Sequence, residues 1–152
     1  MAQPRLVFRP TVANDECLLR AEQVASTVLN TLRDTPMSAV GINFAFTEPD
    51  PPPELLNVFN FPDGPALVGA DWDVRARRVV RRLAHDDTVL NLTLEFDGQV
   101  VTFEFNFHAD TPTNADACAA VNARAVGLRD DAVRLLGDVY HLQLVEENGN
   151  HE

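Results

Sequence analysis

The chain contains no lysine. Its twelve basic residues are all arginine, set against 23 aspartates and glutamates, for a formal net charge of −11 and a sequence pI near 4.6. That balance argues against nonspecific nucleic-acid binding, which rests on cationic side chains displacing counterions from phosphates. It also opposes docking to an anionic membrane surface. No apolar run approaches the roughly 18 residues of a membrane span. The first ten residues, MAQPRLVFRP, hold only Leu6 to Phe8 as an apolar stretch, too short for a signal peptide, so the expected location is cytoplasmic. Cysteine is scarce. Cys17 and Cys118 lie far apart, with no CxxC pair and no zinc-like spacing. Both are expected as buried free thiols, acting as small hydrophobes, with a disulfide only if their two helices pack side by side. There is no phosphate-binding glycine loop, no GxSxG elbow and no HExxH helix. These absences lower the expectation of an enzyme, and no cofactor is implied.

What is present fits an ordinary globular chain. With 152 residues, 45% hydrophobic and 23% charged, it reads as one domain spanning 1–152, with a polar tail over 145–152 that frays. Arg5 to Arg9 is short, β-prone and stopped by Pro10, so it reads as an edge strand. Asn14 then caps a helix. Leu18, Ala21, Ala25, Val28 and Leu32 recur at three- and four-residue steps, with Val24 and Leu29 widening the stripe, and Pro36 closes it. Met37 to Thr47 alternates: Val40, Ile42, Phe44 and Phe46 share one face, while Ala39, Gly41, Asn43 and Ala45 share the other. Side chains so small suggest close packing, most simply by a helix.

EPDPPPE (Glu48 to Glu54) is a stiff, extended connector, followed by a helical turn in ELLNVF. The loop after it contains Pro62, Gly64, Pro65 and Gly69, with a short strand at Ala66 to Val68 and with Trp72 anchoring the loop on the core. Val74 to His85 fits either helix or strand, and its context favours a strand. Asp97-Gly98 is a type I′ hairpin signature. It sets Leu94 opposite Val101 and Leu92 opposite Phe103, with Thr93 opposite Thr102, Asn91 opposite Glu104 and Asp87 opposite His108 on the reverse face. Thr113 to Gln143 carries one long helical stripe through Cys118, Val121, Ala125, Leu128, Ala132, Leu135 and Val139, with Gly127 marking a kink or a close approach.

The order β-α-β-β-β-β-α gives an α+β fold: a mostly antiparallel sheet with two long helices on its phenylalanine face. It is similar to grip-like and TBP-like folds in element order alone, and that analogy carries no function.

Two groups of residues invite chemistry. The hairpin register gathers His85, Asp86, Asp87, His108 and Asp110 at one end of the sheet. Mixed nitrogen and oxygen donors of this kind suit a divalent metal or acid–base work, although aspartates also collect at turns for backbone reasons. Arg75, Arg77, Arg78, Arg81 and Arg82 form a compact basic cluster on an acidic chain, read as an intramolecular or intersubunit partner for the surplus carboxylates and so as a candidate interface. The polar row Thr93, Glu95, Thr102, Glu104 and Asn106 reads first as a solvated sheet face and second as a dimer interface. Asn-Phe recurs at 43–44, 60–61 and 106–107, for which the sequence offers no mechanism beyond strand alternation. The leading expectation is a non-enzymatic binding or assembly protein that self-associates. The alternatives are a small acidic inhibitor of the immunity type facing a basic partner, and a small-ligand or metal-binding protein using the sheet-end cluster.

Overall fold

The computed structural model describes residues 6–10, 12 and 14–143. A four-stranded antiparallel sheet has the order β1-β4-β3-β2, with β1 at Ala39–Glu48, β2 at Arg77–His85, β3 at Thr88–Phe96 and β4 at Val101–Asp110. Five helices accompany it: α1 (Asp15–Thr31), α2 (Pro53–Leu56), α3 (Gly64–Gly69), α4 (Asn114–Val121) and α5 (Ala125–Tyr140). A single 3-10 turn, Asn57–Phe59, extends α2. The α+β class with an antiparallel sheet is therefore borne out. No described helix is long and apolar enough to cross a membrane.

Strict alternation sorts the sheet into two faces. Phe44 pairs with Phe105 and Phe46 with Phe103 between β1 and β4, and Leu92 pairs with Phe105 between β3 and β4. Leu92, Leu94, Phe103 and Phe105 are fully excluded from solvent. Each such side chain contributes about 1.5–3 kcal/mol by leaving water. The Phe46 and Phe105 rings meet edge to face at 5.6 Å. Leu18 of α1 and Leu128, Ala132 and Leu136 of α5 belong to this same core. A smaller core joins Leu29 of α1 and Ala117 and Val121 of α4, with Val40 of β1 packed against it.

Several local expectations are corrected. Leu6 to Pro10 have no regular structure, so the expected N-terminal strand is absent from the described residues; Arg5 lies outside them. The helix α1 ends at Thr31, before Pro36 is reached. Ala66 to Val68 are helical, not extended, because Pro65 sits at the first turn of α3, where its fixed φ suits a helix. Trp72 is 70% exposed and anchors nothing in the core.

The hairpin register moves by two residues. Phe96 pairs with Val101 and Leu94 with Phe103. The loop is longer because the Asp97 carboxylate accepts from the Gln99 and Val100 amides, both at 2.9 Å, while Gly98 takes φ +100°. Those backbone bonds also hold the exposed Asp97 carboxyl below its ordinary value, so the preference is present above that value and is lost as pH falls through the depressed one. A two-residue shift preserves which side chains face the core.

The long C-terminal helix is two helices. The chain breaks at Ala123, with φ +51°, and not at Gly127, beside which a Cβ would meet open space. The cause is Glu22. This α1 residue is 9% exposed, and its carboxylate accepts from the backbone N–H of Arg124 at 2.6 Å and of Ala125 at 2.5 Å. Arg124 has no side-chain cap of its own, so Glu22 caps α5 from a distant part of the chain. Arg129 of α5 reinforces the junction with a 2.7 Å ion pair to Asp15 in the first turn of α1. The α4 helix opens with a capping box between Thr113 and Asp116. At its far end α5 stops at His141, whose φ is +57°, with Leu142 N–H donating to the Leu136 carbonyl at 3.1 Å.

Removing the Glu22 carboxylate leaves two helix-terminal amides unsatisfied. Glu22→Ala is expected to destabilise the protein by about 3 kcal/mol in urea unfolding, and Glu22→Gln by less, since one amide oxygen remains as an acceptor. A loss below about 0.5 kcal/mol for Glu22→Ala would show that the cap contributes nothing.

Candidate functional site

The face of the sheet opposite the main core carries small and polar side chains. On β1 these are Ala39, Gly41, Asn43, Ala45 and Thr47, all exposed. On β4 they are Thr102, Glu104, Asn106, His108 and Asp110. On β3 they are Val89, Asn91, Thr93 and Glu95, and on β2 Arg78, Val80, Arg82 and Ala84. None of these residues is buried. The small side chains of β1 therefore do not mark a packed helix, which corrects the simplest reading of that strand.

A row of asparagines crosses this face. Asn43 lies opposite Asn106, and Asn106 opposite Asn91. Asn91 Nδ2 donates to Asn106 Oδ1 at 3.0 Å, and Asn106 Nδ2 donates to Asn43 Oδ1. The three amides thus form a chain in which each bond orients the next. Gly41 leaves room for it, since a Cβ there would stand 3.0 Å from Asn106 Nδ2. Arg82, opposite Asn91, extends the row to the β2 edge. The register shift created this row: the expected hairpin set Asn91 against Glu104. The Asn-Phe dipeptides at 43–44 and 106–107 were its trace in the sequence.

The arginine cluster is divided by the same alternation. Arg78 and Arg82 belong to the open face, while Arg77 and Arg81 share the face of Val79, which packs against the core. Arg78 lies 3.9 Å from both Glu95 and Glu104, exposed pairings that add little stability. Arg75 precedes β2 and pairs with Asp73 at 3.2 Å. Arg81 donates to the Tyr140 hydroxyl at 3.4 Å. Arg82 makes no ion pair among the described residues.

The sheet-end group is divided too. Asp86 and Asp87 form the turn between β2 and β3, with Asp86 at φ +51°. His85 stands 3.5 Å from Asp86, and His108 Nε2 lies 3.0 Å from Asp110 Oδ1. His85 pairs with Thr88, whereas His108 pairs with Gly41 and Val89, so the two histidines alternate onto opposite faces. Asp87 and His108 border the same small pocket beside Arg124, whose guanidinium bonds the Thr88 hydroxyl at 3.1 Å. Among the described residues no group of three or more His, Cys, Asp or Glu side chains is arranged to hold a metal ion. Cys17 and Cys118 are free and half-buried.

No family model, no curated protein and no solved structure matches the chain.

Asn106 takes part in both bonds of the asparagine row, Asn43 in only one at the exposed edge. Asn106→Ala is expected to lower stability by about 1–2 kcal/mol, and Asn43→Ala by a few tenths. Equal losses in urea unfolding would show that the row is not a connected unit.

Proposed function

We propose that the protein is a non-enzymatic assembly protein whose open sheet face binds a second copy of the chain. The observation that supports this reading is the size gradient across that face. It runs from Ala39, Gly41 and Ala45 on β1 to the long Arg78 and Arg82 on β2 at the opposite edge. A two-fold axis parallel to the strands sets β1 of one copy against β2 of the other, and β3 against β4. Long side chains then meet short ones at both edges, as a self-complementary interface requires. The arginines of one copy also come near Glu104 on the β4 of the other, which is electrostatically favourable. Two sheets stacked in this way lie about 10 Å apart, and the asparagine row would present a flat hydrogen-bonding strip at the centre.

The net charge of −11 opposes self-association at long range. Salt at physiological strength screens that repulsion beyond about 8 Å and leaves the close pairs in place. Sedimentation at physiological ionic strength, from low to high micromolar protein, is expected to give a dimer. Ala45→Arg puts a large cation where the partner's arginines would lie, and it is expected to yield a folded monomer, with the circular dichroism spectrum of the wild type and an unfolding temperature that no longer depends on protein concentration. A wild-type protein that stays monomeric at high micromolar concentration would overturn the proposal.

A further inference from the structure

A cleft of about 430 Å³ opens on the helix side of the sheet, between β2, α5 and the segment containing α2. Its volume falls in the ~300–1,000 Å³ range of small-molecule sites. Leu83, Leu135 and Val58 give it apolar walls. Its polar groups gather around one pair, Arg81 and Tyr140. The Tyr140 oxygen accepts from Arg81 at 3.4 Å, so the phenol keeps its own proton to donate. The guanidinium retains further N–H donors beyond that bond. Burial pushes the Tyr140 phenol up, with the Arg81 charge acting the other way, so it remains a neutral donor near pH 7. Among the described residues Glu54 is the one carboxylate lining the cleft, and it makes no ion pair with Arg81. His141, exposed at the end of α5, is the remaining titratable group at the margin.

Among the described residues, the Arg81–Tyr140 pair thus offers donors and a positive charge with no carboxylate paired to them, beside an apolar wall. We infer that this cleft binds a small amphipathic monocarboxylate, its carboxylate on Arg81 and Tyr140 and its hydrocarbon body along Leu83 and Leu135. A carboxylate suits the site because charge-assisted bonds to a guanidinium are about twice as strong as neutral ones. The cleft is on the opposite side of the sheet from the asparagine row, so this binding and self-association are separate properties.

The test is calorimetric titration of the full chain with decanoate below its micelle concentration and with decanol as the uncharged match. Wild type is expected to bind decanoate saturably at a single site. Arg81→Gln should weaken decanoate about tenfold or more while changing decanol by less than about twofold, the signature of a lost charged hydrogen bond. Val139 lines the cleft but is 60% exposed, so Val139→Trp fills the space without disturbing the core and should weaken both ligands. An absence of saturable decanoate binding to wild type, or an Arg81→Gln protein that binds decanoate as wild type does, would overturn the inference.

Discussion

The period of two in β3 and β4 is the constraint on which the rest of the structure depends. Leu90, Leu92, Leu94, Val101, Phe103, Phe105 and Phe107 all fall on one side, and each is buried. An apolar surface that long has to be covered, and α1 and α5 supply residues to the same core. With the helical cover drawn to that side, the reverse face is left with the residues that alternation assigns to it. Those residues are small on β1, asparagine in the middle and arginine at the β2 edge. Both candidate properties follow from this division. The open face is what the helices do not cover, and the Arg81–Tyr140 cleft lies where the cover ends near the β2 edge.

A second interaction sets how the cover is fastened. The Glu22 carboxylate reaches from α1 to the first amides of α5. It accounts for three features together: a buried acid on an otherwise apolar helix stripe, a break at Ala123 within a continuous helical pattern, and a helix start without a local cap. Arg129 and Asp15 tie the same two helices a turn further along. A buried carboxylate is stable only when its hydrogen bonds are made, so the pairing fixes the relative position of the two helices more strictly than apolar contact alone.

Patterns with a strong period were legible in the sequence. The face assignments of β1, β3 and β4 follow from alternation, and a two-residue error in the hairpin left them intact. The existence of α1 and its Asn14 cap were legible too, but its stripe only in part: Leu18 and Leu29 are buried, whereas Val24 and Leu32 are exposed. Features that depend on distant partners were not. Glu22 falls between Leu18 and Ala25 on the inner face of α1, but the amides of Arg124 and Ala125 that explain it arrive from a hundred residues away. The break at Ala123 has only the weak local signal of Asn122, the C-cap of α4, whereas Gly127 has the stronger one and is an ordinary helical residue. Asp97 and Gly98 suggest the shortest hairpin, yet the carboxylate of Asp97 stabilises a longer loop through Gln99 and Val100. That choice moved Asn91 from Glu104 to Asn106 and made the asparagine row. The sheet-end histidines seemed close because linear proximity ignores which face each residue takes. The arginine cluster looked like one patch for the same reason.

Self-association through the open face makes a spatial claim as well as a stoichiometric one, and the side-chain amides of the asparagine row report on it directly. Nuclear magnetic resonance spectra recorded over a range of protein concentrations would follow these groups individually. Expected are concentration-dependent shifts of the Asn43, Asn91 and Asn106 side-chain amides and of the backbone amides of Ala45, Thr93 and Arg82, with the exposed faces of α1 and α5 unchanged. Shifts confined to the helices, or spectra that do not change with concentration, would contradict the assignment of the open face as the interface.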